Sequence, residues 1–195
     1  RVVGRVAEGV KRQLQGVGFR AFVEKVLPQL RAHDTAVIVN VCGESVEEYA
    51  EVSRIASEAE GVHALEINIS CPNVKTGGIA FGTDPKMTHE VVSAVRRASR
   101  LPVIPKLSPN VTDITVFARA CEEAGADAIS CVNTFLGLAI DIETRKPKLA
   151  FGTGGLSGPA IRPLAVRMTW QAARAVKIPI IGIGASAGGL EALEQ

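Results

Sequence analysis

Apolar runs at 36–41, 64–70, 103–109, 128–134 and 179–184 recur along the chain, and segments of helical periodicity separate or follow them. Runs such as AVIVNV (36–41) are apolar on both faces, as strands buried on both sides in a parallel sheet are. Parallel neighbours need a crossover connection, usually a helix. The repeat therefore predicts part of a (β/α)8 barrel, with an open doubly wound sheet as the runner-up. A complete barrel takes about 250 residues, against 195 here. The expectation is one partial barrel domain over 1–195 that holds about strands 3 to 7 and lacks the N-terminal strands and the last one.

Local signals place the helices between these runs. Ser45 with Glu48 is a capping box, predicting a helix over 46–59 that Gly61 stops. Asp84 followed by Pro85 starts another that runs to about Ser99. Asn110 or Thr112 is positioned to cap a helix ending near Gly125, 160–175 is helical, and a further helix starts at Ser186. Residues 19–30 form an amphipathic pattern, and 1–18 read as irregular. Between Phe135 and Pro159 no helix is predicted: 141–148 reads as a small hairpin or flap, and 152–158 (GTGGLSG) as too glycine-rich to be regular. So long an excursion marks a functional segment.

Composition narrows the function classes. With 4% aromatic residues, the core must be built from Val, Ile, Leu and Ala. A net charge of +2 is too small to argue for nucleic acid or an acidic membrane surface. No apolar run reaches the roughly 18 residues of a membrane span, and Arg1 opens no signal-peptide pattern, so the chain reads as soluble and cytoplasmic. Cys42, Cys71, Cys121 and Cys131 form no CxxC pair, so no metal site is expected within the chain, and free thiols in a reducing compartment are.

Polar residues gather at the ends of the predicted strands. Asn40, Asn68 with Cys71, Lys106, and Asn133 with Thr134 lie in or just past the C-terminal halves of their runs. In a barrel those ends form one rim around the active site. If 64–70 is extended, Glu66, Asn68 and Ser70 share one face and Leu65, Ile67 and Ile69 the other. Polar groups on an inner face need a ligand or a buried network. Alone, Asn40 and Asn110 read as turn or cap residues, Lys106 as equally able to reach solvent, and Cys42, Cys121 and Cys131 as small hydrophobes. Cys71 differs in its setting, between Ser70 and Pro72-Asn73 and ahead of a loop with Gly77, Gly78 and Gly82 suited to a lid. A thiol, with a reference pKa of about 8.5, can act as a general base there. Gly154, Gly155 and Gly158, and Gly182 and Gly184, offer amides to an anion or a flat cofactor. Neither a GxGxxG after the first strand nor a phosphate-binding lysine loop is present.

The segments ALEINISCPNVKTGG, FGTDP, PKLSPNVTDI, CVNTFLGLAIDIETRKPKLA, GTGGLSGPAIRPLAVR and IPIIGIG resemble the catalytic subunit of class 1B dihydroorotate dehydrogenases. The resemblance covers nearly all of 36–195 and implies a (β/α)8 barrel that carries FMN and oxidises dihydroorotate to orotate in pyrimidine synthesis. It implies electrons leaving to NAD through a partner subunit with FAD and a [2Fe-2S] cluster, and a homodimer of catalytic subunits. By the same resemblance Cys71 takes the C5 proton while a hydride leaves C6 for the flavin. Asn68, Asn73, Asn133 and Thr134 then hold the substrate. Asn40, Lys106, Ile129, Gly155, Ser157, Gly158, Gly182 and Gly184 line the flavin, with Lys106 beside its pyrimidine edge. The pattern departs from the family at Gln15, where an Asn is usual, and at Ala185, where a Gly is usual. Two other readings stand beside it: a non-catalytic remnant or scaffold with barrel-like packing, and a related flavin barrel reducing another pyrimidine.

Overall fold

The computed structural model describes residues 18–70, 72, 73 and 79–184. Gln15, Cys71, Lys75, Gly77, Gly78, Ala185 and the helix expected from Ser186 lie outside the described residues. A helical segment runs first, as Gly18–Ala21, a π turn Phe22–Val26 and Leu27–Arg31, and buries Phe22 and Leu27. Strand β1, Ile38–Val41, follows, then helix α1, Val46–Glu58. Ser45 caps α1 as expected, its Oγ accepting the Glu48 N–H at 3.4 Å. The return bond goes one residue further out, from the Glu44 N–H to Glu48 Oε2 at 2.7 Å.

Strand β2 is Ala64–Asn68 and helix α2 Pro85–Ala98, the latter capped by Asp84, whose Oδ1 accepts the Lys86 and Met87 N–H groups. Strand β3, Val103–Leu107, leads to helix α3, Ile114–Glu123. Its cap is Asp113, not Asn110 or Thr112: Asp113 Oδ1 accepts the Thr115 N–H at 2.9 Å. The bonds from Thr115 hold the Asp113 carboxyl below the usual carboxylate range.

Strand β4 is Ile129–Cys131, and the long excursion then contributes β5, Phe135–Leu138, and β6, Thr153–Leu156. The expected hairpin is present as Ile140–Asp141 against Lys146–Pro147. The glycine-rich segment, however, is regular: β6 pairs antiparallel with β5, Gly154 opposite Gly137 and Gly155 opposite Leu136. Gly155 allows this because a Cβ there would stand 2.5 Å from Thr134 Oγ1. Helix α4, Arg162–Ala175, and strand β7, Ile180–Gly182, complete the described chain.

Five strands form one parallel sheet in the order β1-β2-β3-β4-β7. This order follows the chain without reversal and excludes the doubly wound alternative, which needs a switch point. The helices α1, α2, α3 and α4 pack each on the next. The fold is a partial (β/α)8 barrel. Its core lies between sheet and helices and includes Val39, Val41, Leu65, Ile67, Leu107 and Ile129. Among the described residues no helix is long and apolar enough to cross a membrane.

Candidate active site

The face of the sheet opposite the helices carries the polar groups, and register decides which of them meet there. Parallel pairing sets Asn40 beside Glu66, and Asn68 beside Lys106, which in turn sits beside Ser130. Because side chains alternate along a strand, Glu66 and Asn68 share this face while Leu65 and Ile67 point to the helices. The alternation expected over 64–70 holds for 64–68; the strand ends at Asn68, and Ile69 and Ser70 form a turn. The polar groups on that face form a network.

Two clusters make up the network. In the first, the carboxylate of Glu66, whose side chain is only 9% exposed, accepts from Asn40 Nδ2 at 2.5 Å and from Ser130 Oγ at 2.8 Å, and Lys106 Nζ stands 3.5 Å away. In the second, Asn68 Oδ1 accepts from Asn133 Nδ2 at 2.9 Å and from the Ser70 N–H at 3.2 Å, while Asn68 Nδ2 lies 3.4 Å from the Cys42 sulfur. Asn133 Nδ2 also donates to Ser70 Oγ at 3.0 Å, and its Oδ1 accepts the Thr134 N–H at 2.8 Å. Asn68, Asn133 and Thr134 are thus brought together, as are Asn40 and Lys106 through Glu66.

Neighbouring elements hold these groups in place. Tyr49 of α1, wholly buried, donates its hydroxyl to the Asn68 carbonyl at 2.6 Å and meets the Phe81 ring edge-on at 5.4 Å. Replacing Tyr49 by Phe leaves that carbonyl without this donor and is expected to cost about 1 kcal/mol of stability, which denaturant unfolding measures. Asn110 fixes the other strand exit: its Nδ2 donates to the Thr134 carbonyl and its Oδ1 accepts the Leu136 N–H. The far end of the loop after β2 is not free to swing, because Phe81 is fully buried and the Gly82 N–H bonds the Ile69 carbonyl at 2.7 Å. Of the glycines expected in a lid, Gly82 is therefore pinned to the end of β2.

The remaining expected residues divide. Ile129 is wholly buried in the hydrophobic core, on the opposite side of β4 from Ser130, so its side chain does not join the polar face. Gly158 and Gly184 take φ of +90 and +82, where an L side chain is strained, and at Gly158 a Cβ would meet nothing within 4 Å. Gly182 pairs with Cys131 in the sheet, and Ser157 and Gly155 are exposed. Asn73 pairs through its backbone with Ile79. Glu66, Ser130, Tyr49 and Asn110 join or support this network without a motif of their own in the sequence; only Glu66 carries a signal, through its alternation with Asn68.

Two other thiols are kept protonated by burial. Burial pushes the Cys131 thiol up to about 12 and the Cys121 thiol higher still, so neither ionises near neutrality. A groove of about 460 Å³ between α2 and α3, lined in part by Lys86, His89 and Arg119, lies on the outer helical layer and includes none of the site residues. No group of three or more metal-ligating side chains occurs among the described residues.

Residues 11–195 match the family model described as dihydroorotate dehydrogenase. The chain is 60% identical over 181 residues to the protein named dihydroorotate dehydrogenase B (NAD(+)), catalytic subunit, of Geobacter sulfurreducens, covering 93% of this chain and 59% of that relative. The protein of the same name from Porphyromonas gingivalis is 55% identical with the same coverage. The chain therefore spans about three-fifths of the length of these relatives. Among solved structures, the Eimeria tenella enzyme in complex with ferulenol superposes with a TM-score of 0.65 at 19% identity, over 92% of this chain and 55% of that one.

Proposed function

The chain belongs to the dihydroorotate dehydrogenase family, and from that premise we propose that the protein oxidises dihydroorotate to orotate in pyrimidine synthesis with a bound FMN. The observation that supports this most is the gathering of Asn68 with Asn133 and Thr134, and of Asn40 with Lys106 through Glu66, from three neighbouring strands and the exit of a fourth. These residues fit a flat flavin: Lys106 offers a half-buried cation, and Gly158 an approachable backbone at positive φ. Asn40, Lys106, Gly155, Ser157, Gly158, Gly182 and Gly184 would hold it, with Ile129 left out for the reason given above. When bound, the flavin supplies the hydride acceptor.

The chain's own residues supply the rest. Asn68, Asn73, Asn133 and Thr134 orient the substrate by hydrogen bonds, the first and third already locked to each other. Cys71 acts as the general base for the C5 proton. Lys106 places positive charge where negative charge builds during reduction.

The name of the Geobacter relative, a catalytic subunit linked to NAD(+), supports a separate electron-transfer subunit. We read that subunit as carrying FAD and [2Fe-2S], and the catalytic chain as a homodimer working in the cytoplasm. Leu136, Leu138, Leu156 and Phe151 on the excursion are all exposed, an apolar surface suited to protein contacts.

The test is optical. The purified protein is expected to be yellow and to bleach anaerobically on adding dihydroorotate. A colourless protein would favour the scaffold reading, and bleaching by dihydrouracil but not dihydroorotate would favour a barrel for another pyrimidine.

A further inference from the structure

Glu66 is the acceptor on which three other strands of the sheet converge. Its Oε1 takes the Ser130 hydroxyl of β4, and its Oε2 takes the Asn40 amide of β1 and faces the Lys106 ammonium of β3. A carboxylate this buried requires such donors. Two of them are neutral and fix its orientation, leaving the remaining direction to Lys106. A lysine at a strand end ordinarily extends its ammonium into water; here the Lys106 side chain is only 21% exposed and turns toward Glu66.

We propose that Glu66 is a positioning residue and counter-charge for Lys106, setting the net charge that a bound flavin would meet there. This rests on the flavin reading above. A reduced flavin carries more negative charge than an oxidised one, so the ammonium favours reduction and the carboxylate opposes it. Held 3.5 Å apart, the two largely offset each other. Neutralising Glu66 leaves the ammonium uncompensated. Glutamine keeps the volume and one acceptor oxygen, so it removes the charge with least change in shape.

The experiment is a redox titration of the flavin bound to the full-length catalytic chain, as wild type, Glu66→Gln and Glu66→Asp. Glu66→Gln is expected to shift the reduced-to-oxidised ratio about tenfold toward reduced, a rise of about 30 mV for a two-electron couple, while Glu66→Asp, which keeps the charge, stays close to wild type. A Glu66→Gln protein that holds flavin with a potential unchanged or lowered would overturn the proposal. If Glu66→Gln loses its flavin, Glu66→Asp decides: flavin retained supports the counter-charge, flavin lost makes the role one of shape and overturns it. A wild-type protein without flavin would instead remove the reading on which the proposal stands.

Discussion

Cys71→Ala is expected, on the function proposed above, to lower turnover at neutral pH by about 10²–10⁴-fold, the usual contribution of a positioned general base, without releasing the flavin. The thiols divide on physical grounds. Cys121 and Cys131 are held neutral by burial and cannot take a proton near pH 7. Cys71 directly follows Ser70, which is tied to Asn133 and Asn68. A base must be deprotonated to act, so the wild-type rate should fall as pH drops below the thiol range, and this limb should vanish in the variant. Stopped-flow bleaching of the flavin by dihydroorotate measures both. A variant that bleaches at the wild-type rate would remove Cys71 from the mechanism.

Phe81→Ala carries the largest expected effect on stability, a loss of about 3–5 kcal/mol. The ring is fully buried and stands edge-on to Tyr49, whose hydroxyl holds the Asn68 carbonyl. The Phe81 carbonyl accepts the Thr88 hydroxyl of α2 at 2.9 Å. The cavity left by alanine would therefore open between α1, α2 and the exit of β2. In denaturant the midpoint should fall with the slope unchanged. Because Tyr49 loses the ring it packs against while its hydroxyl holds the Asn68 carbonyl, the proposed function predicts that substrate KM rises more than flavin affinity falls. A loss of under about 1 kcal/mol, below the range for an emptied aromatic site, would show that the loop end is not anchored through this ring.

Much of the architecture is legible locally. Ser45, Asp84 and the β-branched runs mark helix starts and strands because capping and burial on both faces act over a few residues. Where two caps compete, the local signal fails: Asn110 has the right chemistry, yet its amide is taken by the backbone at Thr134 and Leu136, and Asp113 caps α3 instead. The Thr153–Leu156 segment hides for a similar reason. Glycine lowers strand propensity, and the pairing with β5 that makes it a strand lies 15 or more positions away in the chain.

The amino-acid sequence alone determined the repeating strand and helix units, the polar strand ends and the family to which the chain belongs, because period, caps and motifs are written in neighbouring residues. Which of those polar ends touch was decided only by tertiary structure. Parallel register sets Asn68 beside Lys106 and Lys106 beside Ser130, and a slip of one residue would turn each strand's polar set toward the helices. That is why Glu66 emerges as the point where four strands meet, and why Ile129, adjacent to Ser130 in the chain, faces the core.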